Sequence, residues 1–192
     1  YDGIYQLSGI PQQFIMKSVV GGRTMVRDND KFECEEVVND FDAVSLYPSA
    51  MSRLGFLKGK PKVLQTTKYE EIKNYDGYFV EVVINKVGKH RHFPLLSYVN
   101  DGGVRIFSND MVGKTVFIDK IALEDAIKFQ QIEFDIIKGY YFNEGFNYKI
   151  AETIRYLFNK RVEMKKVKNP IQMVYKELMN SAYGKTIPKN TN

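Results

Sequence analysis

The apolar pattern of this 192-residue chain changes from strand-type to helix-type near residue 149. Before that point, dense runs of Val, Ile and aromatic residues predict strands over Gly77–Val87, 114–119 and Ile132–Phe142. Beyond it, apolar residues recur at helical spacing on both sides of Pro170, which predicts two helices joined by a short turn. The sequence therefore predicts an α+β fold that ends in an antiparallel helix pair.

Shorter segments carry weaker signals. Alternation predicts strands over residues 23–27 and 35–44, and the Asp101-Gly102-Gly103 sequence predicts a hairpin turn. Helices are predicted from Tyr47-Pro48-Ser49 to Gly55 and over residues 123–130, whereas residues 56–76 are expected to be irregular. In the second helix of the pair, Val174, Leu178 and Ala182 are the predicted apolar stripe.

Composition excludes several classes of protein. The chain is 44% hydrophobic, but no apolar run approaches the roughly 20 residues that span a bilayer, so no membrane segment is predicted. A single cysteine, Cys34, rules out an internal disulfide framework. His90 and His92 are too few for a histidine-rich metal site by themselves, and their polar loop favours a surface position.

Positive charge is concentrated in the last 44 residues. Residues 149–192 contain ten Lys or Arg and three Glu, a balance of +7, so the rest of the chain carries −2 of the total of +5. A basic end on a nearly neutral body is typical of proteins that bind polyanions such as nucleic acids or nucleotides. A solvated charged helix pair would show the same balance, and charge alone leaves both interpretations open.

The helix pair places its polar residues on definable faces. Lys176, Asn180 and Tyr183 stand at i, i+4 and i+7, and Arg161 and Lys165 are also one turn apart. Three cations facing one space would repel each other unless an anion such as a triphosphate neutralised them. The spacing is equally compatible with ordinary solvated cations.

Asp42 lies at the end of the predicted strand, just before a turn that begins a helix. The turn at residues 45–47 would offer backbone N–H groups to an anion, and a carboxylate beside bound phosphates is how proteins usually hold Mg²⁺. Asp40 would share the strand face. A helix-capping or surface role for Asp42 remains open on this pattern alone.

Two segments resemble a known family. Residues 42–49, DAVSLYPS, resemble the first carboxylate motif D-x-x-S-L-Y-P of family-B DNA polymerases, and residues 176–184, KELMNSAYG, match their fingers motif K-x-x-x-N-S-x-Y-G. Their separation of 134 residues is similar to that in the protein-primed branch of viruses, phages and linear plasmids. Gly21-Gly22 stands where that branch has a Tyr-x-Gly-Gly linker, with Val19 at the tyrosine position.

The resemblance implies a division of the chain into three parts. Residues 1–54 would be the first part of the polymerase palm, residues 55–148 an insertion of mixed β/α structure with palm elements, and residues 149–192 the fingers helix pair. Nothing after Gly184 matches the family's second carboxylate motif. We therefore expect an internal fragment that is inactive alone.

The resemblance also implies roles for individual residues. Asp42 and Lys176 would be catalytic, and Asp42 with the carbonyl of Ala43 would bind Mg²⁺ or Mn²⁺. The implied nucleotide-binding residues are Ser45, Leu46, Tyr47, Arg161, Lys165, Lys176, Asn180, Tyr183 and Gly184. The implied partners are a DNA primer-template, a deoxynucleoside triphosphate and a terminal protein primer, without a membrane, inside the host cell of a replicating element.

Two other functions remain compatible with parts of the sequence. A non-catalytic nucleic-acid-binding module would explain the basic helix pair but not the D-x-x-S-L-Y-P segment. A polymerase relative that had lost its second carboxylate motif and become a scaffold would explain both motifs.

Overall fold

The structure, a computed structural model, describes residues 3–186, and the chain folds into two units. Within the described range, the helical unit contains residues 3–4, 36–58 and 146–186, and the sheet unit contains residues 5–35 and 59–145. Each unit has its own cluster of buried apolar side chains. The chain enters and leaves both units, so neither one is a continuous stretch of sequence.

An antiparallel four-stranded sheet forms the centre of the sheet unit. Its order is β2 (Lys62–Val63), β7 (Ile132–Phe142), β3 (Gly77–Val87) and β6 (Thr115–Asp119). The two long central strands pair from Gly77 with Phe142 to Val87 with Ile132, with bulges near Val82 and Lys86. The runs of β-branched and aromatic residues thus form the inner strands, where both edges are paired.

Alternation along β3 decides which sheet face is buried. Tyr78, Val80, Val82 and Ile84 point to one face and are at most 1% exposed. Helix α4 (Lys120–Gln130) covers this face with two fully buried residues, Leu123 and Ala126. On the opposite face, helix α1 (Gly9–Met16) places Phe14 edge-on against Phe117 and Tyr140.

Small elements complete the sheet unit. A hairpin of β4 (Ser97–Val99) and β5 (Arg105–Phe107) closes through the predicted turn, where Gly103 has the positive φ of +76° that favours glycine. A 3₁₀ turn at Arg27–Asn29 precedes the strands of this unit in the chain. Helix α3 (Tyr69–Ile72) lies between β2 and β3.

Three helices form most of the helical unit. Helix α2 (Leu46–Met51) packs on the hairpin of α5 (Lys149–Lys166) and α6 (Gln172–Gly184), and the short strands β1 (Phe56–Leu57) and β8 (Phe146–Asn147) pair nearby. The buried apolar cluster of this unit contains Met51, Ile150, Ile154 and Met179.

The α+β prediction is confirmed, as are the long strands, the strand at 114–119 and both helices of the basic pair. Two predicted strands are wrong: residues 23–27 and 35–44 are irregular apart from the 3₁₀ turn at Arg27. In residues 35–44, Val37 and Phe41 are both 90% exposed, and no strand within residues 3–186 pairs with them. The tendency of such residues to form strands is realised only when a neighbouring strand accepts the backbone hydrogen bonds. The region 56–76, expected to be irregular, contains β1, β2 and α3.

The predicted apolar stripe on α6 is wrong for Val174 and Leu178, whereas its third residue, Ala182, packs against the buried cluster of the helical unit. Val174 and Leu178 are about half exposed, whereas Met179 is 1% exposed and Tyr175 is half-buried. Both stripes have helical spacing, and the packing of α6 against α5 and α2 selects the one that contains Met179. The three-part division at residues 54 and 148 stays a prediction.

Within residues 3–186, no helix combines the length and the apolar character that crossing a bilayer would require.

The close approach of β7 to β3 at Gly139 leads to a prediction about the stability of the fold. A Cβ atom at Gly139 in β7 would lie far inside van der Waals distance of the Phe79 carbonyl oxygen and 2.8 Å from Val80 Cγ1. Because a backbone atom of the paired strand cannot move away without breaking the ladder, Gly139→Ala should lower the free energy of unfolding by about 3 kcal/mol. Denaturant unfolding of the chain measures this change.

Gly22 provides the matched control for this prediction. Apart from Gly22 and its two chain neighbours, no described residue has an atom within 4 Å of a Cβ at Gly22, so Gly22→Ala should change the free energy of unfolding by less than about 1 kcal/mol. Equal effects of the two substitutions would contradict the close approach of β3 and β7.

Candidate active site

The turn between α5 and α6 sets the antiparallel course of the two helices. Lys168 adopts a left-handed conformation with φ +54°, and Pro170 lies two residues further along the chain. The Asn169 N–H donates to the Met164 carbonyl at 2.9 Å, and its side-chain oxygen accepts from the Ile171 N–H at 3.0 Å. These bonds occupy backbone groups that a helix end leaves without partners, so α5 ends and α6 begins within a few residues.

Ser45 begins the site on the side of α2. Its backbone is left-handed, with φ +47° and ψ +54°, and α2 starts at the next residue. Ser49 stabilises this turn, since its N–H donates to the Ser45 carbonyl at 2.8 Å and its hydroxyl to the Val44 carbonyl at 3.2 Å. A non-glycine residue with positive φ costs roughly 1 kcal/mol, and such residues are concentrated at functional sites.

Arg161 connects the helix hairpin to this turn. Its Nη1 donates to Ser45 Oγ at 3.3 Å, and its Nε donates to Gln172 Oε1 at 3.2 Å. One guanidinium, extending from α5, thus contacts the residue just before α2 and the first residue of α6. Its orientation is fixed by neutral partners, so its positive charge is not cancelled by either contact.

Tyr47 and Tyr183 form a second contact between α2 and α6. Their rings meet edge to face, with centroids 4.9 Å apart and planes at 80°. Both side chains remain partly exposed, Tyr47 by 47% and Tyr183 by 41%. The pair therefore presents aromatic surface to solvent, on the same elements that carry Ser45 and the fingers-type motif.

The remaining predicted residues of the hairpin are placed by the helices that carry them. Lys165 is exposed one turn beyond Arg161 on α5, and Lys176 is half-buried on α6. Asn180 and Gly184 are exposed near the end of α6. Direct contacts thus join Ser45 to Arg161 and Tyr47 to Tyr183. The role of every predicted site residue stays a prediction.

Asp42 and Ala43 lie in the irregular segment before α2, and both are exposed. Within residues 3–186, Asp42 belongs to no group of three or more side chains that could hold a metal ion. A carboxylate and a backbone carbonyl are nevertheless the hard oxygen donors that Mg²⁺ prefers, and Mg²⁺ commonly takes one or two carboxylates together with phosphates and water. The donor chemistry of the two residues therefore fits Mg²⁺ as part of a ligand set.

Sequence inspection missed Gln172. It holds the Arg161 side chain, but it is neutral and carries no motif signal. Its position four residues before Lys176 places it on the same helix face, which is the one signal that would have identified it.

A cleft of about 280 Å³ lies between α2 and α5. Its walls combine two arginines with hydroxyl, amide and apolar groups: Pro48, Ser49, Ser52, Arg53, Ile154, Arg155, Phe158 and Asn159. None of these residues was assigned a role from the sequence, although Pro48 and Ser49 belong to the D-x-x-S-L-Y-P segment of residues 42–49.

Comparison with known proteins identifies a matching family and a viral relative. Residues 1–190 match the family described as DNA polymerase type B, organellar and viral. A DNA polymerase of Acidianus bottle-shaped virus (isolate Italy/Pozzuoli) is 30% identical over 163 residues, and the match covers 77% of this chain and 23% of the viral protein.

Two solved structures share the fold. The orthorhombic crystal form of Phi29 DNA polymerase has a TM-score of 0.61 and 21% identity, and the match covers 92% of this chain and 31% of that one. Phi29 DNA polymerase complexed with primer-template DNA, in a post-translocation binary complex, has a TM-score of 0.60 and 19% identity over 93% of this chain and 30% of that one. The chain therefore spans less than a third of the length of these relatives.

The family match covers nearly the whole chain and includes both motifs from which the resemblance was drawn, so that prediction is confirmed. The chain belongs to the organellar and viral family of type B DNA polymerases.

Proposed function

We propose that this chain takes part in template-directed DNA synthesis, as the portion of a polymerase that binds the incoming deoxynucleoside triphosphate. The primer hydroxyl oxygen would attack the α-phosphorus, a new P–O bond would form, and the bond to the bridging oxygen would break to release pyrophosphate. The contact of Arg161 with Ser45 carries the proposal, because through it the turn of the first motif meets the helix pair that carries the second motif.

The triphosphate would lie between the start of α2 and the α5–α6 hairpin. Arg161 is held by two neutral groups and has further N–H groups to donate, so it can grip phosphate oxygens in a bidentate way. The Leu46 and Tyr47 N–H groups belong to the first turn of α2, where no intrahelical acceptor exists. Lys165 and Lys176 would add positive charge from the two facing helices.

Asp42 and the Ala43 carbonyl would hold Mg²⁺ beside the phosphates. Bound Mg²⁺ would neutralise the triphosphate and lower the pKa of the primer hydroxyl. Lys176 is the proposed general acid: its ammonium group would donate a proton to the leaving pyrophosphate oxygen.

The two tyrosines would bound the sugar and the base. Tyr47 would lie under the deoxyribose and leave no room for a 2′-hydroxyl, while Tyr183 and Asn180 would line the nascent base pair. Gly184, at the end of α6, would permit close approach of the backbone. The primer-template DNA and a terminal protein primer are the proposed partners, inside the host cell of the replicating element.

The metal ligand is tested by Asp42→Ala in the complete natural protein. Loss of a carboxylate that positions Mg²⁺ removes several kcal/mol of transition-state stabilisation, so the rate of nucleotide incorporation should fall at least about 1,000-fold. DNA binding, measured by fluorescence anisotropy, should change little. Asp40→Ala, two residues away in the same exposed segment, should retain most of the activity. Near-normal primer extension by Asp42→Ala would contradict this assignment.

The phosphate contacts are tested by Arg161→Ala and Lys176→Ala. A charge-assisted hydrogen bond is worth about 1.5–3 kcal/mol, so each change should raise KM for the nucleotide roughly tenfold or more. Loss of the proposed acid should also lower kcat for Lys176→Ala. Lys149→Ala, an exposed cation at the start of α5, should alter these constants by no more than a few-fold. Equal effects at Lys149 and Lys176 would show that total charge, rather than position, matters.

Sugar selection is tested by comparing Tyr47→Val with Tyr47→Phe. Valine removes the ring, so the ratio of kcat/KM for ribonucleotides to that for deoxynucleotides should rise roughly 100-fold or more. Phenylalanine keeps the ring and its edge-to-face contact with Tyr183, so it should preserve discrimination. An unchanged ratio in Tyr47→Val would place the steric barrier at another residue.

A further inference from the structure

Three metal-ligating side chains meet in the sheet unit, away from the motif positions in sequence. Asp28 Oδ1 lies 3.3 Å from His90 Nε2, and Asp28 Oδ2 lies 2.8 Å from His92 Nδ1. One ligand atom from each residue lies within 4.8 Å of the other two. Among residues 3–186, no other group of three or more His, Cys, Asp or Glu side chains is compact enough to hold a metal ion.

The separations suit a tetrahedral zinc ion. Zn²⁺ binds imidazole nitrogen and carboxylate oxygen at about 2.0–2.1 Å, which places two ligand atoms of a tetrahedron about 3.4 Å apart. Asp28 meets the two imidazoles through different oxygens, at 3.3 Å and 2.8 Å, and one ligand atom from each of the three residues lies within 4.8 Å of the other two. Side-chain rotations would bring one carboxylate oxygen and both nitrogens to the tetrahedral spacing. Two nitrogen donors also favour zinc over Mg²⁺, which prefers oxygen.

The backbone that carries the two histidines is firmly held. Gln130 is fully buried; its Oε1 accepts from the Leu95 N–H at 2.8 Å, and its Nε2 donates to the Lys89 carbonyl at 3.3 Å. Between them, the Arg91 N–H donates to Asn109 Oδ1 at 3.0 Å. Residues 89–95, the histidine loop, are thus held through their backbone at both ends and in the middle, which positions the two imidazoles for a ligand.

Asp28 is held to the same loop from the other side. It has a left-handed backbone with φ +54°, and its N–H donates to the His92 carbonyl at 2.8 Å. The neighbouring Asn29 side chain donates to the Phe107 carbonyl at 3.1 Å, and the Arg23 guanidinium donates to the Pro94 carbonyl. A strained aspartate whose two carboxylate oxygens each face a different imidazole is typical of a functional constraint.

The cluster is also open to solvent. The side chains of His90 and His92 are each 66% exposed, and that of Asp28 is 36% exposed. A metal ion can therefore enter directly, and water can occupy the fourth coordination position.

We propose that Asp28, His90 and His92 form a zinc site that fastens the 3₁₀ turn at Arg27–Asn29 to the histidine loop. The ion would be coordinated by His90 Nε2, His92 Nδ1, a carboxylate oxygen of Asp28 and one water. Its role would be to stabilise the sheet unit, and it does not depend on the proposed nucleotide site.

The first experiment titrates the metal-free chain with Zn²⁺ by calorimetry in a non-chelating buffer. The expected result is one Zn²⁺ per chain, unaffected by millimolar Mg²⁺. His90→Ala, His92→Ala and Asp28→Asn should each raise Kd by about 100-fold or more, since each removes one of three protein ligands. Asp30→Asn, an exposed carboxylate two residues from Asp28, is the matched control and should bind as the wild type does. Cys34→Ser should also bind normally, which excludes coordination by the thiolate.

The second experiment remains informative if a variant folds poorly. The chain has only two histidines, so the ¹⁵N-edited NMR spectrum of wild-type imidazoles contains two sets of signals. Stoichiometric Zn²⁺ should shift both sets, with coordination through Nε2 of His90 and Nδ1 of His92. Zinc at about 100 times Kd should raise Tm by several degrees.

Three results would overturn the proposal. The first is the absence of zinc binding below about 1 mM, which would show that the carboxylate serves the imidazoles as a hydrogen-bond acceptor only. The second is a zinc-dependent shift in one histidine or neither. The third is unchanged affinity in Asp28→Asn, which would reduce the site to the two histidines.

Discussion

Burial of apolar side chains between α2, α5 and α6 is the interaction on which the candidate active site depends. Helix α2 has six residues, too few to be stable alone in water. Met51 from α2 is buried with Ile154 and Met179, which are 2% and 1% exposed. Burial of one such side chain contributes about 1.5–3 kcal/mol, which exceeds the roughly 1 kcal/mol cost of the left-handed backbone at Ser45. Packing behind the site can thus maintain a strained turn in front of it.

The same packing explains how motifs more than 100 residues apart in sequence come to lie together. Ser45 and Tyr47 are fixed to α2, while Arg161 and Tyr183 are fixed to the hairpin. Neither contact is strong enough to hold the helices, because one is a hydrogen bond of 3.3 Å and the other is a pair of half-exposed rings. Both contacts are consequences of the relative position of the helices, which the buried core determines.

The sequence predicted the elements whose signals are local. Dense β-branched and aromatic residues identified β3 and β7, and helical spacing with a proline between the runs identified α5 and α6. Prediction from the sequence was wrong where the structure of a segment depends on another segment that packs against it. The apolar segment at 35–44 has no strand to pair with among residues 3–186, and α6 offers two apolar stripes of which tertiary packing buries one.

In the candidate site, motif residues were found, but Gln172 was not, because its role exists only through Arg161. The meeting of Asp28 with two histidines more than 60 residues away was equally invisible to local patterns.

Neutral amides orient the charged groups in both proposed sites. Gln172 fixes Arg161, while Gln130 and Asn109 fix the loop that carries the histidines. An amide both donates and accepts hydrogen bonds and costs far less to bury than an ion, so it can hold a backbone or a side chain without cancelling nearby charge. A carboxylate in place of Gln172 would pair with Arg161 and compete with phosphate for the guanidinium. The uncharged Gln172 leaves the charge of Arg161 available to a ligand. Amide residues that neither react nor bind a ligand are therefore important in both proposed sites, because they position the groups that do.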